Sequence, residues 1–168
     1  VITTPGTFGP VGSGAGTESA LITGTGLIQV GAAAGGFDDW IAGFGLDPAD
    51  QDPTDDPDND GVSNIVEYVL GRDPSVGEGA ASTGVKNGAN FELSFERSDL
   101  SVSSADVTIL IEYGNDLAGW TEVAVPATSG TVGGVTFTIT DGSPTDTVVA
   151  SIPTSGATEF FARVKAVK

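Results

Sequence analysis

The chain has 168 residues, 23 acidic against 6 basic, for a formal net charge of −17, and it contains no Cys, His or Met. Such acidity repels phosphate backbones and anionic lipid, which argues against nucleic acid and membrane surfaces as partners. The missing side chains exclude thiolate chemistry, Cys or His zinc sites, imidazole catalysis and every Ser-His-Asp triad. No apolar run approaches the roughly 18 residues of a membrane span, and the length suffices to bury a core without disulfides. With neither a start Met nor a signal peptide, Val1 is expected to be a processed or trimmed end.

Composition divides the chain into three zones. Residues 1–36 carry one charge, Glu18, and ten of the 25 glycines, so they read as an extended Gly/Thr-rich arm. Within it Ile22, Gly24, Gly26, Ile28 and Val30 recur at period two, which marks 18–31 as a candidate donor strand. The same composition also suits a flexible linker. Residues 37–84 carry 12 acids and a single base, Arg72, so most of the acidity is local. This zone opens with Phe37, Trp40, Ile41 and Phe44 at helical spacing, stopped by Gly45 and Pro48. After an acidic loop, Ile65, Val66, Val69 and Leu70 predict a second helix over about 63–70, closed by Gly71.

Residues 85–168 alternate at period two. Six strands are predicted, centred on Phe91–Phe95, Val107–Tyr113, Trp120–Val125, Val135–Ile139, Val148–Ile152 and Phe161–Val167, with turn residues between them. The expected fold is mainly β: an immunoglobulin-like antiparallel β-sandwich behind a short helix–calcium loop–helix and the arm. A sandwich of this kind usually has seven or more strands, so one is expected to be missing.

The sharpest motif is DPDNDGVSNIVE over residues 56–67. Asp56, Asp58 and Asp60 take positions 1, 3 and 5, Gly61 takes 6, the Val62 carbonyl 7, Asn64 9 and Glu67 12. This is the D-x-[DN]-x-[DN]-G-x₅-E pattern without a gap. A hard cation needs six to eight oxygens at about 2.3–2.6 Å, so the chain must wrap round it, and the glycine permits the bend. Calcium is therefore the expected ion, against the plainer reading of a solvated acidic loop. Asp50, Asp52, Asp55 and Asp73 are candidates for a second ion. The Asp-Pro steps before the loop replace the long incoming helix of an EF-hand.

Together FDDWIAGFGL, DPDNDGVSNIVEYVLGRDP, VTILIEYGNDLAGWTEV and EFFARVKAV resemble a C-terminal module of secreted bacterial surface proteins. That module joins a short aromatic helix, a thrombospondin-type-3-like or dockerin-like calcium loop and a small β-sandwich. The resemblance covers about residues 37–168. It implies an extracellular, calcium-binding, non-enzymatic role, and by position it implies the same ligands: Asp56, Asp58, Asp60, Val62, Asn64 and Glu67.

Three functions are weighed. The first is a structural subunit of a surface filament, a homopolymer in which one copy's N-terminal strand completes the sheet of the next. The second is an accessory or anchoring module of a larger secreted protein, for instance one that binds glycan, with Trp120 and Tyr113 as stacking candidates. The third is an enzyme, for which Glu92 and Glu96 on one side of a strand are the carboxylate pair considered; no catalytic residue is assigned. Arg163, Lys165 and Lys168 crowd into the last six residues and suggest an electrostatic contact with the acidic zone.

Overall fold

A computed structural model describes residues 6–9, 17–18, 28–30, 35–104 and 106–168. The chain divides into two compact units, Val1–Gly35 and Gly36–Lys168. In the first, β1 (Gly6–Gly9) pairs in parallel with β2 (Thr17–Glu18) and antiparallel with β3 (Ile28–Val30). The described parts of the expected arm thus pair with one another. Of the candidate donor strand, only Glu18 and Ile28–Val30 are described; 19–27 and 31 lie outside the described residues.

The second unit is mainly β. Five strands run in the order β4 (Thr83–Asn87), β5 (Asn90–Ser98), β10 (Thr145–Pro153), β9 (Val135–Thr140) and β8 (Gly130–Val132). A second sheet has the order β11 (Phe161–Val167), β6 (Thr108–Gly114), β7 (Thr121–Ala124). Every pairing in both sheets is antiparallel. The alternation that predicts the strands also builds the core. Leu93 and Phe95, Val135 and Phe137, and Val148, Ala150 and Ile152 come from the larger sheet; Ile109, Ile111 and Val123 come from the smaller, and all join one buried cluster. This is the two-sheet construction of a β-sandwich.

The six predicted strands are present, and two more accompany them, so the expectation of a missing strand is corrected. Strand β4 is solvent-exposed at every position, which leaves no apolar alternation to read. Strand β8 is three residues long and joins β9 through Gly133-Gly134, both at positive φ (57° and 84°). Two successive residues at positive φ form the turn that matches hairpin twist, and glycine adopts it without strain.

Two short helices bear on the site. Helix α1 (Phe37–Ala42) buries Phe37 and Ile41, with Asp38 and Asp39 in its first turn, where they face the positive end of the dipole. Helix α2 (Asn64–Leu70) ends at Gly71, which adopts the left-handed conformation at φ 73°. The Phe37 ring meets the Tyr68 ring edge-on at 5.9 Å, and Trp40 lies 5.1 Å from the Tyr68 ring. Beyond α1, α2 packs on β5, β11 and α3 (Asp99–Ser103). It is therefore held on several sides.

Candidate metal centre

The segment before α2 braces the helix. Asp47 caps a single 3₁₀ turn over Pro48–Asp50 through Ala49 N–H. The backbone amides of Asn64 and Ile65 donate to the carbonyls of Asp55 and Pro53 at 2.8 and 3.0 Å. These are orphan donors of the helix N-terminus, and main chain satisfies them where Ser63 makes no side-chain cap. At the other end, the Gly71 turn brings Arg72 N–H back onto the Glu67 carbonyl at 2.9 Å.

Between these anchors the loop turns on its own aspartates. Gly61 N–H donates to Asp56 Oδ2, Asp60 N–H to Asp58 Oδ1, and Val62 N–H to Asp60 Oδ1, at 3.0, 3.0 and 2.8 Å. Gly61 sits at φ 89° and Asn59 at φ 62°, backbone states that glycine and asparagine tolerate best. Asp56 and Asp58 thereby each spend one oxygen on the fold, and Asp60 spends its Oδ1. The second oxygens of Asp56 and Asp58 are buried without a partner. One carboxylate oxygen from each of Asp56, Asp58 and Asp60 lies within 4.8 Å of the others.

Asn64 and Glu67 add to the set from α2. The Asn64 amide donates to the carbonyls of Asp50 and Asp52, both at 2.9 Å, and its Oδ1 is left buried and unpaired. Glu67 has zero exposure, and neither of its oxygens has a partner. Among the described residues six buried side-chain polar atoms lack a hydrogen bond, and five of them fall at loop positions 1, 3, 9 and 12. Orphaned buried oxygens are costly. All five belong to one twelve-residue segment, where they are available as oxygen ligands beside the Asp56, Asp58 and Asp60 group.

The electrostatics agree. Burial, then the Asp58, Asp60 and Asp56 carboxylates, push the Glu67 carboxyl up to about 8, with Arg72 pulling the other way. Burial also raises Asp58, opposed by the Asp60 N–H and reinforced by Asp60 and Asp56. Without a cation, Glu67 and Asp58 resist ionising in this space. The donor set is all oxygen, so it fits a hard cation and could hold a metal ion.

Asp50, Asp52, Asp55 and Asp73 are used differently. Asp50 and Asp52 offer their carbonyls to Asn64, while Asp55 Oδ2 receives Asp52 N–H at 2.9 Å. Asp73 Oδ1 caps Ser75 through its N–H and hydroxyl at 2.9 and 2.6 Å. Among the described residues these four do not form a cluster like that of Asp56, Asp58 and Asp60.

Two residues that the motif does not contain complete the surroundings. Asp60 Oδ2 accepts from Glu78 N–H at 3.1 Å and stands 4.0 Å from the Arg72 guanidinium. Arg72 itself donates to the carbonyls of Gly79 and Ala80 at 2.8 and 2.6 Å. The loop is thus tied to the segment that leads into β4. A lone arginine beside an acidic run was the available signal in the sequence.

The other candidates occupy structural positions. The Arg163 guanidinium covers Trp120 at 4.6 Å, and Tyr113 stacks on Phe160 at 5.9 Å. Glu92 accepts from Asn87, and Glu96 accepts the hydroxyls of Thr145 and Thr147. Of the three C-terminal cations, Lys168 reaches the acidic zone at Asp38, whereas Arg163 and Lys165 pair with Glu112. The Lys165 hydrogen bond, opposed by burial and helped by Arg163, holds Glu112 below the usual carboxylate range.

In comparisons with family models, curated proteins and solved structures, nothing matches the chain. Fold and site together define a class, a mainly β module with an oxygen-lined acidic loop.

Proposed function

We propose that this chain is a calcium-binding, non-enzymatic structural module, an immunoglobulin-like sandwich behind a helix–calcium loop–helix, that works outside the cell. The observation that carries the reading is the set of buried, unpartnered oxygens on Asp56, Asp58, Asn64 and Glu67. Asp60 and the Val62 carbonyl would complete an oxygen shell of the number calcium takes. Magnesium fits less well, since it keeps its water and demands a tighter octahedron. Bound calcium would supply the positive charge that these carboxylates otherwise lack. At calcium about 100-fold above the dissociation constant, linkage stabilises the fold by about 2.7 kcal/mol. Thermal melting in calcium, magnesium and chelator tests this. A rise of roughly 5–10 °C in calcium alone is the expected result; equal midpoints in calcium and chelator would overturn the reading.

A filament subunit is the second reading, and one observation favours it. The smaller sheet has three strands against five, with β11 and β7 as its edges. An extended segment from another copy adds to such an edge through main-chain hydrogen bonds. The larger sheet is edged by the fully exposed β4 and the three-residue β8, so the smaller sheet is the proposed place for a donated strand. Negative-stain microscopy in millimolar calcium is the test, and dispersed monomers would remove this reading.

A further inference from the structure

A second recognition feature lies on the face where α2 meets the larger sheet. Two concavities of about 410 and 480 Å³ share Gly71, Arg72, Glu78, Pro144 and Thr145, so together they form one elongated trough. A linear ligand matches that shape better than a compact one.

The two ends of the trough differ. At one end Trp40, Phe44 and Leu100 give it an apolar wall. Trp40 is tied to its neighbours by ring contacts with Phe44 at 4.9 Å and Tyr68 at 5.1 Å, so it is a fixed platform that needs no ordering on binding. Leu100 is 42% exposed on α3, a large apolar side chain left at the surface beside that platform. Toward the other end the lining turns polar, with Ser82, Thr83, Ser94 and Glu96.

Gly71 sits in the shared middle because the left-handed cap of α2 requires it. A Cβ there would come within 2.9 Å of the Thr145 methyl. The Arg72 guanidinium is spent on the Gly79 and Ala80 carbonyls, so it shapes the rim without offering a free cation. The carboxylates are partly satisfied too: Glu96 receives two threonine hydroxyls and Glu78 receives Asp73 N–H. What remains is a row of hydroxyl and carboxylate groups with capacity for further hydroxyl partners, beside a rigid aromatic platform.

We propose that this trough binds a neutral, linear oligosaccharide, with Trp40 stacking on a sugar ring at the apolar end and the polar end receiving hydroxyl groups. Polyanionic glycans are disfavoured by Asp73, Glu78, Asp99 and Glu96 along the lining. A basic peptide would gain from the same charges, but Glu78 and Glu96 already hold the Asp73 N–H and the Thr145 and Thr147 hydroxyls. The proposal stands apart from the calcium reading, since none of the four orphaned loop residues lines the trough.

The test is titration of the intact chain in calcium with cellohexaose, laminarihexaose, xylohexaose and chitohexaose, with octalysine as the peptide probe. The chain has two tryptophans, so a Trp120→Phe background leaves Trp40 as the sole indole reporter. A hexaose that shifts Trp40 emission, with calorimetric binding weakened about tenfold in Leu100→Lys, is the expected result. Trp40→Phe should weaken the same binding with the melting temperature retained; Leu100→Lys, at an exposed site, keeps the test informative should Trp40→Phe unfold. Silence of all four sugars at millimolar concentration overturns the proposal. So does hexaose affinity that is unchanged in the variants, and so does octalysine binding where the sugars fail.

Discussion

Glu67 carries opposite consequences with and without a cation. In the metal-free protein its folded carboxyl titrates near 8, against about 4.5 when unfolded. The folded state then holds the proton more tightly. The contribution of Glu67 to stability is therefore fully present below about pH 4.5 and is lost as pH rises from there to about 8, because the unfolded chain ionises first. Urea melts in chelator from pH 5 to 8.5 should show that decline. Glu67→Gln removes the charge and keeps the shape. In chelator at pH 7 it should raise stability by on the order of 2 kcal/mol, and in calcium it should abolish the gain from the ion. A variant that still gained stability from calcium as the parent does would contradict the assignment.

Arg97 is the second residue of consequence. It is 3% exposed and donates to Asp146 at 2.6 Å and to the carbonyls of Pro126 and Ala127. The Arg97 hydrogen bond, against the effect of burial, holds the Asp146 carboxyl below its usual range. The pair therefore contributes above the ordinary carboxylate range, and its contribution fades as pH falls through the lowered value. Arg97→Met strands a buried carboxylate and should cost about 3–5 kcal/mol in denaturant unfolding. Asp146→Asn with Arg97→Met should recover part of that loss.

At the level of elements, the sequence was legible wherever burial repeats with a short period. Strand β10 alternates half-buried and buried through eight residues, and its partner β5 carries Leu93 and Phe95 inward, so both are plain in the hydrophobic pattern. Strand β4 is invisible to that test, since neighbouring backbone makes it a strand and none of its side chains is buried. Strand β8 was readable by another route, because Gly-Gly between Val132 and Val135 is hairpin chemistry. Gly134 has open space where a Cβ would stand, yet its φ is 84°. Gly134→Ala should thus cost about 1 kcal/mol through backbone strain alone, measurable as a lower melting point with the fold retained.

The candidate site divides in the same way. Spacing alone brought Asp56, Asp58, Asp60, Asn64 and Glu67 into one reading, because loop ligands are local in sequence. Spacing had nothing to say about Asn64 reaching back 14 residues to the Asp50 carbonyl, or about Asp60 accepting the Glu78 N–H from 18 residues on. Trp120 shows the converse. An aromatic residue near the end of a turn looks available, and only the strand pairing that sets Arg163 beside Glu112 explains why it is covered.

For the unit as a whole, the acid surplus sets the terms. Most cations are committed within the fold: Arg97 to Asp146, Arg163 and Lys165 to Glu112, Lys168 to Asp38, Arg72 near Asp60 and Glu78. The negative charge that remains favours divalent cations, and among the described residues the loop is where carboxylate oxygens are buried without a partner. The tie from Asp60 to Glu78 gives that loop a reach beyond its own twelve residues. Between Asp73 and β4 the chain is mostly exposed, and Asp60 and Arg72 hold it down at residues 78–80. An Asp60 drawn into calcium ligation and an Asp60 repelled by its neighbours would restrain that stretch differently. Calcium should protect the bonds between Ser75 and Ala81 from a broad-specificity protease, and chelator should turn the same stretch into the first place that is cut. Digestion followed by mass spectrometry would show it. In that case the ambient calcium level acts as a timer on how long the chain survives intact.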